Sequence, residues 1–137
     1  TGAIAQGALV ADELNLPYVY VRSTPKDHGL ENLIEGDLRP GQKVVVVEDL
    51  VSTGKSSLKA VEAIRNAGCE VVGMVALFTY GFPVAEANFA EANVRLLTLS
   101  DYNAMLEVAL ETEYITEDDI ETLHNWRTDP ANWVPER

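Results

Sequence analysis

A chain of 137 residues, 47% of them hydrophobic, is long enough for one domain with a buried core. Its formal net charge of −12 argues against a general nucleic-acid surface, and no apolar run approaches the ~18 residues that a membrane span needs. The single cysteine, Cys69, excludes an internal disulfide and fits a reducing cytoplasm. Lying just before Val71-Val72, it is expected to be a small buried hydrophobe rather than a nucleophile.

The chain opens on Thr1-Gly2, and Ile4, Leu9, Val10 and Leu14 predict a helix over residues 3–14, closed by Asn15-Leu16-Pro17. An α/β domain rarely begins in a loop that leads straight into a helix, so a strand preceding Thr1 is expected to be missing; a frayed terminus is the alternative. Residues 18–22 have the aromatic and β-branched content of a strand. Residues 23–36 carry Pro25, Gly29, Gly36 and several charges, and predict a long mobile loop of the kind that is often functional. Arg39-Pro40-Gly41-Gln42 is a turn.

Residues 43–57 organise the rest. Four consecutive valines, Val44-Val45-Val46-Val47, predict a strand buried on both faces. Glu48 and Asp49 follow where that run stops. The hydroxyl- and glycine-rich Ser52-Thr53-Gly54-Lys55-Ser56-Ser57 then leads into a helix with apolar Leu58, Val61, Ile64 and Ala67. Ligand sites in α/β folds sit at the carboxyl ends of parallel strands, where a helix start offers backbone N–H groups to an anion. A Walker A loop needs glycine five residues before Gly54, and Asp49 stands there, so Gly54-Lys55-Ser56 is not a phosphate loop of that type. A sugar phosphate fits better. Thr53, Ser56 and Ser57 hydroxyls and the turn amides would hold its phosphate, while Glu48 and Asp49 accept from ribose hydroxyls. An ordinary strand-to-helix turn with a Ser or Thr N-cap would leave the adjacent acids unexplained.

Downstream, Gly68 is expected at the C′ position of this helix. Residues 70–79 form another buried strand, 84–92 a short Ala-rich helix, and 94–99 the last strand. Ser100 or Asp101 caps the helix containing Met105, Leu106, Val108 and Ala109, and 117–126 forms a final amphipathic helix with Ile120 and Leu123 inward. Most of the acidic excess follows Asp101 and reads as a solvated helical face. The alternation of strands and helices predicts an α/β domain over 1–137 with a parallel, right-handed sheet, a mobile loop at 23–36 and acidic helices at 101–127.

Val44-Val-Val-Val-Glu-Asp-Leu-Val-Ser-Thr-Gly-Lys-Ser56 resembles the phosphoribosyl-pyrophosphate (PRPP) motif of the type I phosphoribosyltransferases: four hydrophobic residues, two acids, then a Thr/Gly/Ser-rich loop. Arg22, Lys26, His28 and Gly29 have the spacing of the Arg-x-x-x-Lys-x-His-Gly catalytic loop of orotate phosphoribosyltransferases. Many relatives carry a further Lys where this chain has Ser23 or Thr24. Phe78-Thr79-Tyr80-Gly81, Leu99-Ser100-Asp101-Tyr102 and Trp126-Arg127 are similar to segments of one branch of that family. Another branch has an Arg near Thr79 that holds the orotate carboxylate; none is present here. Tyr80 and Phe82 would line the base site or pack in the core.

The resemblance implies a type I phosphoribosyltransferase-like parallel sheet flanked by helices, lacking the N-terminal part. It implies transfer of ribose 5-phosphate from PRPP to orotate, giving orotidine 5′-monophosphate and pyrophosphate in pyrimidine biosynthesis. Lys26 and His28 would be catalytic. PRPP would be bound by Arg22, Lys26, His28, Glu48, Asp49, Leu50, Val51, Ser52, Thr53, Gly54, Lys55 and Ser56, with Ser52 also touching orotate. Mg²⁺ would be held mainly by PRPP, with no firm protein ligand. Loop 23–36 would reach into the neighbouring subunit's site, implying a homodimer. The alternatives are a phosphoribosyltransferase for another base and a PRPP-binding regulator without catalysis; the latter is expected to lack the loop cations and to carry a basic extension.

Overall fold

The valine run becomes the middle of a nine-residue strand. In the computed structural model, which describes residues 2–24 and 33–134, β3 spans Lys43–Val51. It pairs in parallel with β4 (Glu70–Thr79), and β4 pairs in parallel with β5 (Leu96–Asp101), in the order β3-β4-β5. Parallel neighbours need a long crossover, usually a helix. Here α2 (Lys55–Asn66) joins β3 to β4 and α3 (Pro83–Glu91) joins β4 to β5. Their inward residues Val61, Ala85 and Phe89 meet Val51, Met74, Ala76 and Val94 in one core. Each such buried side chain of Val or Met size is worth about 1.5–3 kcal/mol of transfer free energy.

Ahead of this unit stand α1 (Ala3–Glu13) and a two-stranded antiparallel ribbon, β1 (Tyr20–Val21) with β2 (Ile34–Glu35). Tyr18 anchors α1 by donating its hydroxyl to the Ile4 carbonyl at 2.8 Å. After β5 come α4 (Tyr102–Glu111) and α5 (Glu117–Thr128). Asp101 caps α4, its Oδ1 accepting from the Ala104 N–H at 3.0 Å. Tyr80 stacks on Phe82 with ring centroids 5.2 Å apart, and Tyr80, Phe82 and Tyr102 all meet the Trp126 ring. This aromatic cluster fastens α5 to the carboxyl ends of β4 and β5.

Gly68 takes the left-handed conformation (φ +81°) expected after α2, and Cys69 is buried with its Sγ donating to the Arg39 carbonyl at 3.1 Å. Four expectations are corrected. The first strand is only Tyr20–Val21. The end of the 23–36 segment is not loop: the Arg22 N–H donates to the Leu33 carbonyl at 2.7 Å, and Ile34–Glu35 pairs with β1. The last strand is displaced to Leu96–Asp101, because Met74 and Val75 of β4 set its register with Leu96 and Leu97. Finally, β3 is not buried on both faces. Val45 is 54% exposed, and Leu97 and Leu99 further across the sheet are exposed too, because the core contributed by α2 and α3 covers the opposite face.

Candidate functional site

Pairing with β4 carries β3 past the valines: Glu48 lies opposite Ala76, Leu50 opposite Phe78 and Val51 opposite Thr79. The two acids therefore project from the last stretch of a paired strand rather than from the turn. Glu48 is half-buried, and its Oε2 accepts from the Ser57 hydroxyl at 2.9 Å. Ser57 is only 2% exposed, the one fully buried polar side chain among the described residues. Its hydroxyl had been expected at a phosphate; the fold turns it inward, onto the acid that precedes the loop. Asp49 Oδ1 accepts from the Leu50 N–H at 2.8 Å, and its other oxygen lies against Gly2, where a Cβ would overlap it. Glycine at the start of α1 thus lets the carboxylate sit at a helix N-terminus, which favours negative charge.

The two carboxyls differ in acidity. Burial, then the hydrogen bond shared with Asp49, holds Glu48 above the ordinary Glu range. That same hydrogen bond lowers Asp49 more than burial raises it, and the Leu50 N–H lowers it further. The two shifts run in opposite directions, so Asp49 is the stronger acid of the pair and Glu48 the weaker.

Beyond the acids the loop is held from two sides. The Val51 side chain is fully buried, and its carbonyl accepts from the Tyr80 N–H at 3.2 Å and the Thr79 hydroxyl at 3.3 Å. The Thr53 carbonyl accepts from Asn88 Nδ2 of α3 at 2.9 Å. Gly54, the residue before α2, has φ +77°, and a Cβ there would lie 2.6 Å from Cε2 of Phe89. Only glycine meets both conditions. Leu58 N–H returns to the Gly54 carbonyl, while no side chain caps the start of α2 and no acid stands in its first turn. The first-turn N–H groups lack intrahelical acceptors, which suits an anion. Lys55 and Ser56 are exposed at this edge, and Ser52 and Thr53 are half-buried.

The structure thus brings together Glu48, Asp49, Leu50, Val51, Ser52, Thr53, Gly54, Lys55 and Ser56 on one strand–turn–helix. Arg22 lies on the separate ribbon, its Nη1 3.4 Å from Glu35 Oε1. Lys26, His28 and Gly29, like Thr1, fall outside the described residues. Tyr80 and Phe82 join the aromatic cluster; Phe82 is buried, and Tyr80 also faces a cleft of about 320 Å³ with Tyr102, Trp126 and Trp133. Asn88 is the supporting residue that sequence reading missed, while Ser57 was named there for a different role, at the phosphate. For Asn88 there was a signal, since Asn in the middle of a short Ala-rich helix costs helix propensity and calls for a tertiary partner.

Residues 1–104 match the phosphoribosyl transferase domain family. Over 133 residues the chain is 75% identical to the orotate phosphoribosyltransferase of Bacteroides fragilis, covering 97% of this chain and 63% of that relative. Among solved structures, the UMP synthase of Leishmania donovani superposes with a TM-score of 0.76 at 26% identity, over 93% of this chain and 27% of that one. The orotate phosphoribosyltransferase from Aeropyrum pernix gives 0.72 at 33% identity, over 84% and 62%. The chain therefore spans less than two thirds of the length of these relatives. The domain match takes in the acids, the glycine turn and all three parallel strands, and the chain belongs to the phosphoribosyltransferase family.

Proposed function

We propose that the chain is the PRPP-binding core of an orotate phosphoribosyltransferase, acting in pyrimidine biosynthesis in a reducing cytoplasm. The observation that carries this reading is the adjacent pair Glu48 and Asp49 at the end of β3, placed directly before an uncapped, acid-free helix start. Ribose hydroxyls would donate to the carboxyls. The 5′-phosphate would sit on the amides and hydroxyls of 52–56, with Ser52 also reaching the base. The 75% identity to an enzyme named for orotate, together with the Arg22, Lys26, His28, Gly29 spacing, supports orotate over a purine.

In the reaction the bond from ribose C1 to the pyrophosphate oxygen breaks, and its electron pair leaves on pyrophosphate. The orotate ring nitrogen then bonds C1 and gives up its proton. Positive charge on the ribose is favoured by the nearby Asp49, and negative charge on the leaving group by Lys26 and His28. Arg22 would offer pyrophosphate a planar fork. To do so it exchanges Glu35 for phosphate, a small cost because a partly exposed ion pair is worth about 0–1 kcal/mol. The loop joining β1 to β2 would close over the site, shared between the subunits of a homodimer, and exclude water that would otherwise hydrolyse PRPP.

The donor set fits Mg²⁺ brought in by the substrate. Glu48 and Asp49 already spend oxygens on Ser57 and the Leu50 N–H, and Mg²⁺ commonly keeps water and substrate phosphate oxygens as its ligands. Bound through PRPP, the ion supplies neutralisation of the pyrophosphate. Orotate consumption, followed by its ultraviolet absorbance with PRPP and Mg²⁺, tests the proposal. Turnover abolished in Lys26→Ala supports it. Turnover with a different base only would sink the specificity, and PRPP binding with no base accepted would favour a regulator.

A further inference from the structure

We infer that Asn88 of α3 is a positioning residue for phosphate binding, locking the Thr53–Gly54 peptide so that the Gly54 N–H faces the ligand side. The inference rests on the sugar-phosphate reading of the loop. Asn88 Nδ2 donates to the Thr53 carbonyl at 2.9 Å; a carbonyl accepts only from a donor, which fixes the orientation of the side-chain amide. No peptide bond among the described residues is cis. In a planar trans peptide the C=O and the following N–H point in opposite directions, so a Thr53 oxygen held toward α3 sends the Gly54 N–H away from it. The α3 side is closed, because the Phe89 ring fills the space beside the Gly54 Cα. The N–H therefore opens on the side where Lys55 and Ser56 are exposed and where the first-turn amides of α2 begin.

A lock is needed because the next residue is glycine. Gly54 tolerates both signs of φ, so a flip of the preceding peptide meets no steric barrier of its own. Flipped, the loop would present the Thr53 carbonyl oxygen to a phosphate, exchanging a donor for a repelling acceptor. Asn88 removes that alternative from outside the motif, and at a position where alanine would be the better helix former.

That conflict separates the roles experimentally. Asn88→Ala gains helix propensity while losing the lock. Its thermal midpoint should stay close to that of the wild type, while the Kd for PRPP, measured by calorimetry, rises about tenfold, as expected for one lost hydrogen bond to a polarised group. Asn88→Asp, which sets a carboxylate against the Thr53 oxygen, should weaken binding further, and Asn88→Gln, retaining an amide donor, should recover part of it. In ¹H–¹⁵N spectra the Gly54 amide should shift on addition of inorganic phosphate in the wild type and shift less in Asn88→Ala. Wild-type affinity and a wild-type Gly54 shift in Asn88→Ala would overturn the inference and leave the sugar-phosphate reading standing. A wild-type chain that binds neither PRPP nor phosphate would overturn that reading, and this inference with it.

Discussion

Replacing Gly54 with alanine probes the turn on which the site depends. Two costs add. Gly54 has φ +77°, and an L-residue in the left-handed region costs about 1–2 kcal/mol. The new Cβ would also lie 2.6 Å from Cε2 and 3.1 Å from Cδ2 of Phe89. Phe89 is 5% exposed and belongs to the core, so its ring cannot swing into solvent; overpacking of this kind costs about 1–3 kcal/mol. The sum, roughly 2–5 kcal/mol, should lower the thermal midpoint by on the order of 10 °C in a domain of this size. Urea denaturation of Gly54→Ala, Phe89→Leu and the double variant separates the terms. Leucine leaves room for the Cβ but does not relieve the backbone, so the double variant should be more stable than additivity predicts by about 1–2 kcal/mol. A Gly54→Ala protein that melts like the wild type, or a strictly additive cycle, would refute the reasoning.

Further outcomes follow from the acids and the aromatic cluster. The folded Glu48 carboxyl is held above its ordinary range, so its contribution is favourable while protonated and is lost as pH rises through the folded pKa. Glu48→Gln should therefore melt higher than the wild type at neutral pH, lose that advantage below the ordinary Glu range, and bind PRPP more weakly. Asp49 has the opposite sign: its lowered pKa gives stability above the unfolded value that disappears as pH falls through the folded one, and Asp49→Asn should flatten the acid limb of a stability–pH curve. Ser57→Ala removes the donor to Glu48 and should cost about 1 kcal/mol in denaturant unfolding. Trp126→Ala removes a ring shared by Tyr80, Phe82 and Tyr102 and should cost about 2–4 kcal/mol, with near-ultraviolet circular dichroism reporting the loss of aromatic packing.

The centre of the fold was legible because its signals are local. Four valines, two acids and a glycine turn name a strand, its end and a helix start, and the structure has β3, Gly54 and α2 there. What escaped was set by partners distant in sequence. Pairing opposite Ala76 to Thr79 draws Glu48 to Val51 into the strand despite the weak strand propensity of acids. Burial on both faces was inferred from the valines alone, yet exposure of Val45 depends on which helices cover which face. The inward turn of the Ser57 hydroxyl follows from its place on α2, three residues past the loop glycine, directly over Glu48. Nor does the spacing of Arg22 to Lys26 reveal that Arg22 is engaged by Glu35 across a ribbon.

The central claim, that the strand–turn–helix from Glu48 to Ser56 holds PRPP, is tested most directly by calorimetric titration of PRPP with Mg²⁺ into the wild-type chain and Asp49→Asn. The account predicts saturable binding by the wild type and at least about tenfold weaker binding by the variant, which keeps the shape of the carboxylate but not its charge. Equal affinity in the two proteins would contradict it.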